Sequence, residues 1–500
     1  MELSQILTTM KGESITNNWD VVCAMSAARL TELFEEKYNS ANHGGLVYHI
    51  EQTVSILDGL ASVEIDLTIR PPLISFIQND PQRIRMAMRI IEGSVKLIDA
   101  AGNIHSEQEF PPQDDIEKEP YIDAIIPLQG VRGDVSDGEE GEDVIINFDD
   151  EGGTWVLQVE MDPSLKDYVQ LGIKQYFREH VEGRDYSLGT LIYQDNPDLV
   201  DLTPISFRFA TAAEELSDGT YSIGSLLLFI NVQGGRDVEG RPLSLNKIVD
   251  PVANGFSTAL IISSRVLMCV GLYPSLRKLG PVEQVKPIKD DDQEDISGLW
   301  KLRCTGGSKK LGKPGTDWET GVDLRGLKFP DDVEVSMTGL TLEVDQVTGI
   351  DNTHPQSTQT FPYRKDVAGN QVTFTVDLHF ESEGKYNSSI LESGDQPGDQ
   401  GVVFDDKSIN AEVTYSNDTA NWAQGPAGKR ICEAVNIQFK KIYEDLILFD
   451  MKGISTFAVS NLLFPEDRVI EFGKKDDGTE DQGVYIPGDM LIVGRVKSLN

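Results

Sequence analysis

The residues best suited by type to do chemistry are scattered, and their spacing closes one reaction class after another. Six histidines (His43, His49, His105, His180, His354 and His379) form neither an H-E-x-x-H nor an H-x-x-x-H pair. Metal-assisted hydrolysis from a helix needs two ring nitrogens one turn apart, so it gains no support. Four cysteines (Cys23, Cys269, Cys304 and Cys432) stand far apart with no C-x-x-C. Buried free thiols in a reducing compartment account for them better than a zinc ribbon or a redox pair. No serine sits in a G-x-S-x-G: Ser187 and Ser222 precede a glycine by two, but Asp185 and Thr220 stand where the first glycine is required. Carboxylate pairs are unavoidable among 82 acids and by themselves assign no glycosidase site.

Two further patterns come close to a ligand site. Gly307-Ser308-Lys309-Lys310-Leu311-Gly312-Lys313-Pro314 resembles a phosphate loop, but Pro314 occupies the place where a Ser or Thr must hold magnesium. The same stretch is also the clearest cationic run of the chain. Lys301, Arg303, Lys309, Lys310 and Lys313 fall within thirteen residues without one acid, which marks either a site for a phosphate headgroup or an acidic partner, or a solvated loop. Calcium loops fail on spacing: an EF-hand needs oxygens at positions one, three and five and glycine at six. Asp134-x-x-Asp137-Gly138 and Asp476-Asp477-Gly478 do not fit, and Asp290-x-Asp292-x-Glu294 is followed by Asp295 instead of glycine. No metal and no cofactor is expected.

Charge narrows the partners. Against the 82 acidic residues stand 44 basic ones, a net −38. That balance repels nucleic-acid phosphates and anionic lipid surfaces, and it favours colloidal stability. Nucleic acid is therefore not an expected partner. Met1 to Asp20 carries Glu2, Lys11, Glu13 and Asp20 and no apolar run, so the chain is expected in the cytoplasm or released without a secretory signal peptide. Under that expectation Asn387-Ser388-Ser389 and Asn417-Asp418-Thr419 are coincidental glycosylation sequons. Phe256 to Leu276 is the most apolar stretch, but Arg265 lies inside it, so no transmembrane segment is predicted.

The elements that must position these residues read mainly as strands. Apolar and polar residues alternate over Val63–Ile69, Ile84–Ile90, Trp155–Met161, Ile205–Phe209, Val333–Met337, Leu340–Val344, Val372–Phe380 and Ile409–Tyr415. A period of two predicts half-buried strands of antiparallel sheets. Helical spacing predicts three helices: Trp19 to Tyr38, Pro163 to Val181 with Asp162 as its cap, and a long one over Pro251 to Leu279 that is apolar nearly all round. Such a helix must be surrounded, as a curved sheet wrapped around it would do. Acidic, Gly-rich stretches at Asp134–Gly153 and Gly280–Gly298, and a Gly/Ser/Asp-rich one at Glu381–Gly401, read as loops. The predicted organisation is a module over 1–285, an acidic linker over 286–298 and a second, β-rich module over 299–500.

Four segments carry a family resemblance: Asn18–Ser26, Phe256–Arg265 running into Tyr273-Pro274-Ser275-Leu276, Thr456–Pro465, and Val484–Gly494. In that order they resemble the accessory proteins encoded beside clostridial botulinum neurotoxins, the forty-seven-kilodalton protein and its OrfX relatives. The resemblance implies an α+β, TULIP-type (tubular lipid-binding) fold: elongated modules in which long helices are wrapped by highly curved antiparallel β-sheets. It further implies a non-enzymatic role, binding a lipid or other hydrophobic molecule, with a protein partner encoded nearby. The rival expectation is a scaffold with a sealed core, and after it a hydrolase. Acidic loops at Asp134–Gly153 and Asp395–Asp406 read as insertions relative to the family. The apolar lining expected on this reading is Ile84, Met86, Met88, Phe207, Phe209, Phe256, Leu260, Leu267, Phe374 and Phe380, with Lys301, Arg303, Lys309, Lys310 and Lys313 as the headgroup or partner site.

Overall fold

The structure is a computed structural model. It describes residues 1–498 apart from 12–13, 41–45, 78–79, 81–82, 111–119, 128–142, 146–153, 160, 181–186, 191–199, 214–223, 236–248, 279, 286–298, 315–320, 345–348, 393–399, 406–409, 417–424, 443–453 and 456–467. The expected linker, the Thr456–Pro465 segment and most of the Asp134–Gly153 stretch lie outside the described residues.

Strands are numbered along the chain. A central sheet runs in the order β12 (Pro204–Ala213), β13 (Gly224–Val232), β1 (Val21–Ser26), β14 (Thr258–Ile262), β28 (Met490–Ser498), β26 (Arg468–Phe472), with β27 (Val484–Tyr485) also on β28. A second sheet contains β2 (His49–Ile56), β3 (Ala61–Ile69), β5 (Arg83–Asp99), β7 (Tyr121–Pro127) and β9 (Thr154–Gln158), and β4 (Leu73–Phe76) and β6 (Ile104–Phe110) also pair with β5. The third sheet is built on the long hairpin β21 (Gly349–Val367) and β22 (Asn370–Glu392). Around it lie β11 (Val200–Asp201), β15 (Val282–Val285), β16 (Lys301–Cys304), β18 (Leu327–Lys328), β20 (Thr341–Val344), β23 (Gln400–Asp405), β24 (Asn410–Ser416) and β25 (Ile454–Ser455). Two small ribbons pair β8 (Asp143–Ile145) with β10 (Ser187–Thr190) and β17 (Ser308–Gly312) with β19 (Val333–Ser336). Apart from the short β11–β25 contact, these pairings are antiparallel. The alternating segments expected as strands that fall on described residues are found as strands.

The central sheet contains the chain twice. Strand β1 pairs antiparallel with β14 in a register that centres on Cys23 facing Leu260. Turning the sheet about that point carries Ser26 onto Ser263, and each serine caps the helix that follows, its hydroxyl accepting from the N–H of Arg29 or Val266 respectively. The strand entrances match as well. The Asp20 carbonyl accepts from Ser263 N at 2.9 Å and the Ser257 carbonyl accepts from Ser26 N at 3.0 Å. Strand β13 beside β1 corresponds to β28 beside β14, and β12 to β26. In each half a helix leaves the first strand, an antiparallel sheet follows, and a second helix leads back. The second helices are α3 (Pro163–His180) and α6 (Gly425–Ile442).

Two predicted helices are therefore corrected. Trp19–Tyr38 is strand β1 followed by helix α2 (Ala27–Tyr38), with α1 being the N-terminal Leu3–Thr9. The long helix over Pro251–Leu279, and with it the wrapped-helix form of the fold, is not found. Thr258–Ile262 is a strand, and only then come α4 (Ser264–Val266), a π-helical Leu267–Leu272 and α5 (Tyr273–Arg277). The physical reason is burial on two faces. A strand covered on both sides is apolar at every position and loses its alternation, so periodicity cannot separate it from a buried helix. In β14, Leu260 and Ile262 enter the main core, while Ala259 and Ile261 face a second core on the other side of the sheet. Helix α1 covers that second face with Ile6 and Met10, alongside Trp19 and Phe256. The predicted helix Pro163–Val181 is found as α3. Helix α6 went unpredicted, although Ala427, Ile431, Ala434, Val435 and Phe439 recur at helical spacing and are all buried.

Candidate functional site

The expected apolar lining converges on the main core. Ile84, Met86 and Met88 point inward from β5, Phe207 and Phe209 from β12, Leu260 from β14, Leu267 from the π-helical turn and Phe380 from β22. Phe374 is half-buried and packs against the same core. Phe256 is the exception: it belongs to the second core, across the central sheet, with the Lys475 ammonium 5.7 Å from its ring centre. The sequence treated both faces of the strand as one interior, because nothing in an unbroken apolar run distinguishes them.

Parts of this interior are filled by the chain itself. Trp155 meets Phe177 of α3 with ring centres 4.7 Å apart, and Phe380 meets Phe439 of α6 edge-on at 5.2 Å. Helix α3 sits closest to its sheet at Gly172, where an added Cβ would lie 2.5 Å from Ile65 Cδ1 and 2.7 Å from Val54 Cγ2. Gly172→Val is accordingly expected to cost about 1–3 kcal/mol by overpacking, read as a lowered urea midpoint at unchanged slope.

The cationic residues do not gather into one open site. Lys301 Nζ lies 3.5 Å from Glu343, and Arg303 stands opposite Glu283 in the β15–β16 ladder. Lys310 stands opposite Glu334 with its ammonium 3.9 Å from Asp332, Lys309 stands opposite Val335, and Lys313 donates to the Pro330 carbonyl at 3.1 Å. The run lacks acids along the chain, but neighbouring strands supply them. Within Gly307–Pro314, Ser308–Gly312 forms strand β17, not a loop leading into a helix.

The buried thiols are not activated. Burial pushes the Cys304 and Cys432 thiols up to about 11 and Cys23 higher still, which keeps them protonated. Among the described residues no group of three or more His, Cys, Asp or Glu is placed to hold a metal ion, and no helix is long and apolar enough to cross a membrane.

One surface feature was not anticipated. The turn joining β2 to β3 carries Leu57 and Leu60 with 65 % and 69 % of their surface exposed. Leu57 and Asp58 are held at φ 51° and 54°, a left-handed backbone that costs about 1–3 kcal/mol per residue. The β5–β6 turn docks alongside, Ala100 N donating to the Leu60 carbonyl at 3.0 Å, and brings Ile104, 53 % exposed, to the same end of the sheet.

No protein-family model matches the chain, and no curated protein sequence matches it. Solved structures do. P47 from Clostridium botulinum A2 superposes with a TM-score of 0.53 at 12 % identity, over 96 % of this chain and 98 % of that one. P47 of Clostridium botulinum E1 gives 0.57 at 12 % identity, over 96 % and 99 %. The fold is similar to that of P47. A lipopolysaccharide binding protein is also matched, but its TM-score of 0.29 at 8 % identity is too low to argue from. The P47-like fold implied by the sequence segments is thus observed across nearly the whole chain.

Proposed function

We propose that this chain is a non-enzymatic binding protein for a lipid or another hydrophobic ligand, with a TULIP-type role as an accessory component of a bacterial toxin or secreted complex. The observation that carries the reading is the apolar hairpin tip. Leu57, Leu60 and Ile104 are exposed together at one end of the sheet, and grouped exposed apolar residues mark contact with an apolar partner. The P47-like fold and the resemblance of the Asn18–Ser26 and Val484–Gly494 segments support the same reading. With a net charge of −38, the favoured surface is neutral or zwitterionic lipid.

Organic extraction of the purified chain, and transfer of a fluorescent acyl lipid from phosphatidylcholine vesicles, test the ligand. Finding neither extracted lipid nor transfer would overturn the proposal. The double variant Leu57→Asp/Leu60→Asp is expected to weaken vesicle partitioning by at least about a hundredfold, the effect of withdrawing two leucines from an apolar phase. Its unfolding midpoint should not fall, because neither side chain is buried and Asp tolerates the left-handed backbone at position 57 better than Leu. The aromatic pairs and the close seat of Gly172 favour a second reading, a sealed-core scaffold binding a protein encoded nearby. That reading predicts complex formation without lipid transfer.

A further inference from the structure

The internal two-fold allows one half of the molecule to be read against the other. At the entrance of β1, the buried Asp20 carboxylate closes the space beside the following strand. It accepts from Val232 N at 3.0 Å and from the Arg265 guanidinium. Gly235 makes room for it, since any Cβ there would strike the carboxylate. The corresponding positions in the other half are Ser257 for Asp20, Val496 for Val232 and Ala28 for Arg265. Val496 N still finds its acceptor, the Ser257 hydroxyl at 3.0 Å. Positions 257 and 28 themselves carry neither the carboxylate nor the guanidinium; the Ser257 side chain instead bonds Asp476, which comes from another segment and faces Arg29 and Arg495. Around these positions there is a cleft of about 460 Å³, lined by Ser26, Ala28, Arg29, Glu32, Ser257, Asp476, Arg495, Val496 and Lys497.

The walls of this cleft carry both signs of charge. Arg495 and Lys497 both bond Glu471, at 2.7 and 3.0 Å, and Asp476 also faces Arg495, so two cations line that wall. Arg29 bonds Glu32 and Glu36 through Nη1 at 2.7 and 3.0 Å, while its buried Nε has no hydrogen-bond partner. Asp476 is partly buried, and that burial raises its carboxyl. A simple anion would meet four nearby carboxylates, and a simple cation would leave the Arg29 Nε donor unsatisfied at a desolvation cost. A volume in the range of small-molecule sites with polar walls of mixed sign fits a ligand of mixed sign.

We propose that this cleft binds a small zwitterion of the amino-acid type, its acidic group on Arg29 and the Arg495–Lys497 wall and its ammonium group on Asp476 and Glu32. The inference is independent of the apolar tip and of lipid binding.

Calorimetric titration of the full chain with glycine, L-glutamate and L-lysine tests it, with succinate and putrescine as probes of one sign only. Saturable binding of at least one amino acid, with succinate and putrescine at least about tenfold weaker, is the expected result. No binding by any amino acid, or equal binding by succinate or putrescine, overturns it. Grafting the closed half onto the open one, Ser257→Asp with Ala28→Arg, should abolish the binding, and binding that survives in the folded double variant overturns the site. Should the graft fail to fold by circular dichroism, Arg29→Gln decides instead. It removes a half-buried guanidinium from the wall of the cleft and is expected to weaken binding by at least about tenfold, an unchanged affinity overturning the assignment.

Discussion

Asp20→Ala is expected to lower the unfolding free energy by about 3–5 kcal/mol, the cost of removing one partner from a buried ion pair. Asp20 is wholly buried. Its carboxylate neutralises Arg265, which is itself largely enclosed, and takes the N–H of Val232. Without it a guanidinium and a backbone donor stay buried with no replacement from solvent. The loss belongs to the uncompensated charge more than to the bond. Asp20→Ala combined with Arg265→Met should therefore recover much of it, because an apolar pair of similar volume is often as stable as the buried ions it replaces. Denaturant unfolding of the two single variants and the double gives the coupling directly. Strictly additive losses would contradict the pair's role.

The second large effect is expected at Asp489, also wholly buried, at the start of β28. Its carboxylate gathers three chain segments, accepting from the Ser14 hydroxyl, Ile15 N and Ser264 N, each at 2.8 Å. Asp489→Ala should cost roughly 1–3 kcal/mol for each buried donor left without an acceptor and should loosen the segment that leads from α1, exposing the second core. Burial outweighs these hydrogen bonds and raises the carboxyl to about 6. An unfolded aspartate titrates near ~3.9, so between these values the folded chain binds the extra proton. The contribution is present in full below about pH 4 and is lost as pH rises through about 6, a change of about 3 kcal/mol. Asp489→Asn lacks it. The difference in stability between parent and variant should shift in the variant's favour as pH rises from 4 to 7, and a flat difference across that range would refute the assignment.

The sequence was most informative where one face of an element is wet. Val372–Phe380 alternates because one side of β22 is buried, with Val376, Leu378 and Phe380 inside, and α3 shows its stripe because its other side meets solvent. Both were legible. The central strands have no wet face, so Val21–Ser26 and Thr258–Ile262 took on the appearance of buried helices. Their kinship was missed for a related reason. Trp19 to Ser26 and Phe256 to Ser263 share an aromatic start, an apolar run and a closing serine, a likeness that only the register of β1 on β14 makes specific. The apolar lining could be anticipated because it repeats along strands. The cleft could not: Arg29, Ser257, Asp476 and Arg495 meet only after the sheet has closed, and no spacing along the chain relates them.

The pairing of β1 with β14 has a consequence for assembly. Five residues of each strand meet across the two-fold, and each strand's other edge is taken by its own half, through β13 or β28. A half on its own would thus present one open strand edge, apolar except at Thr258 and complementary to itself when turned about residue 23 or 260. That is the geometry of an isologous dimer written into a single polypeptide. Covalent linkage sets the two partners at fixed stoichiometry and hides an edge that would otherwise recruit further strands. It also frees the copies to differ, so that one strand entrance can be sealed by charge while its twin stays open.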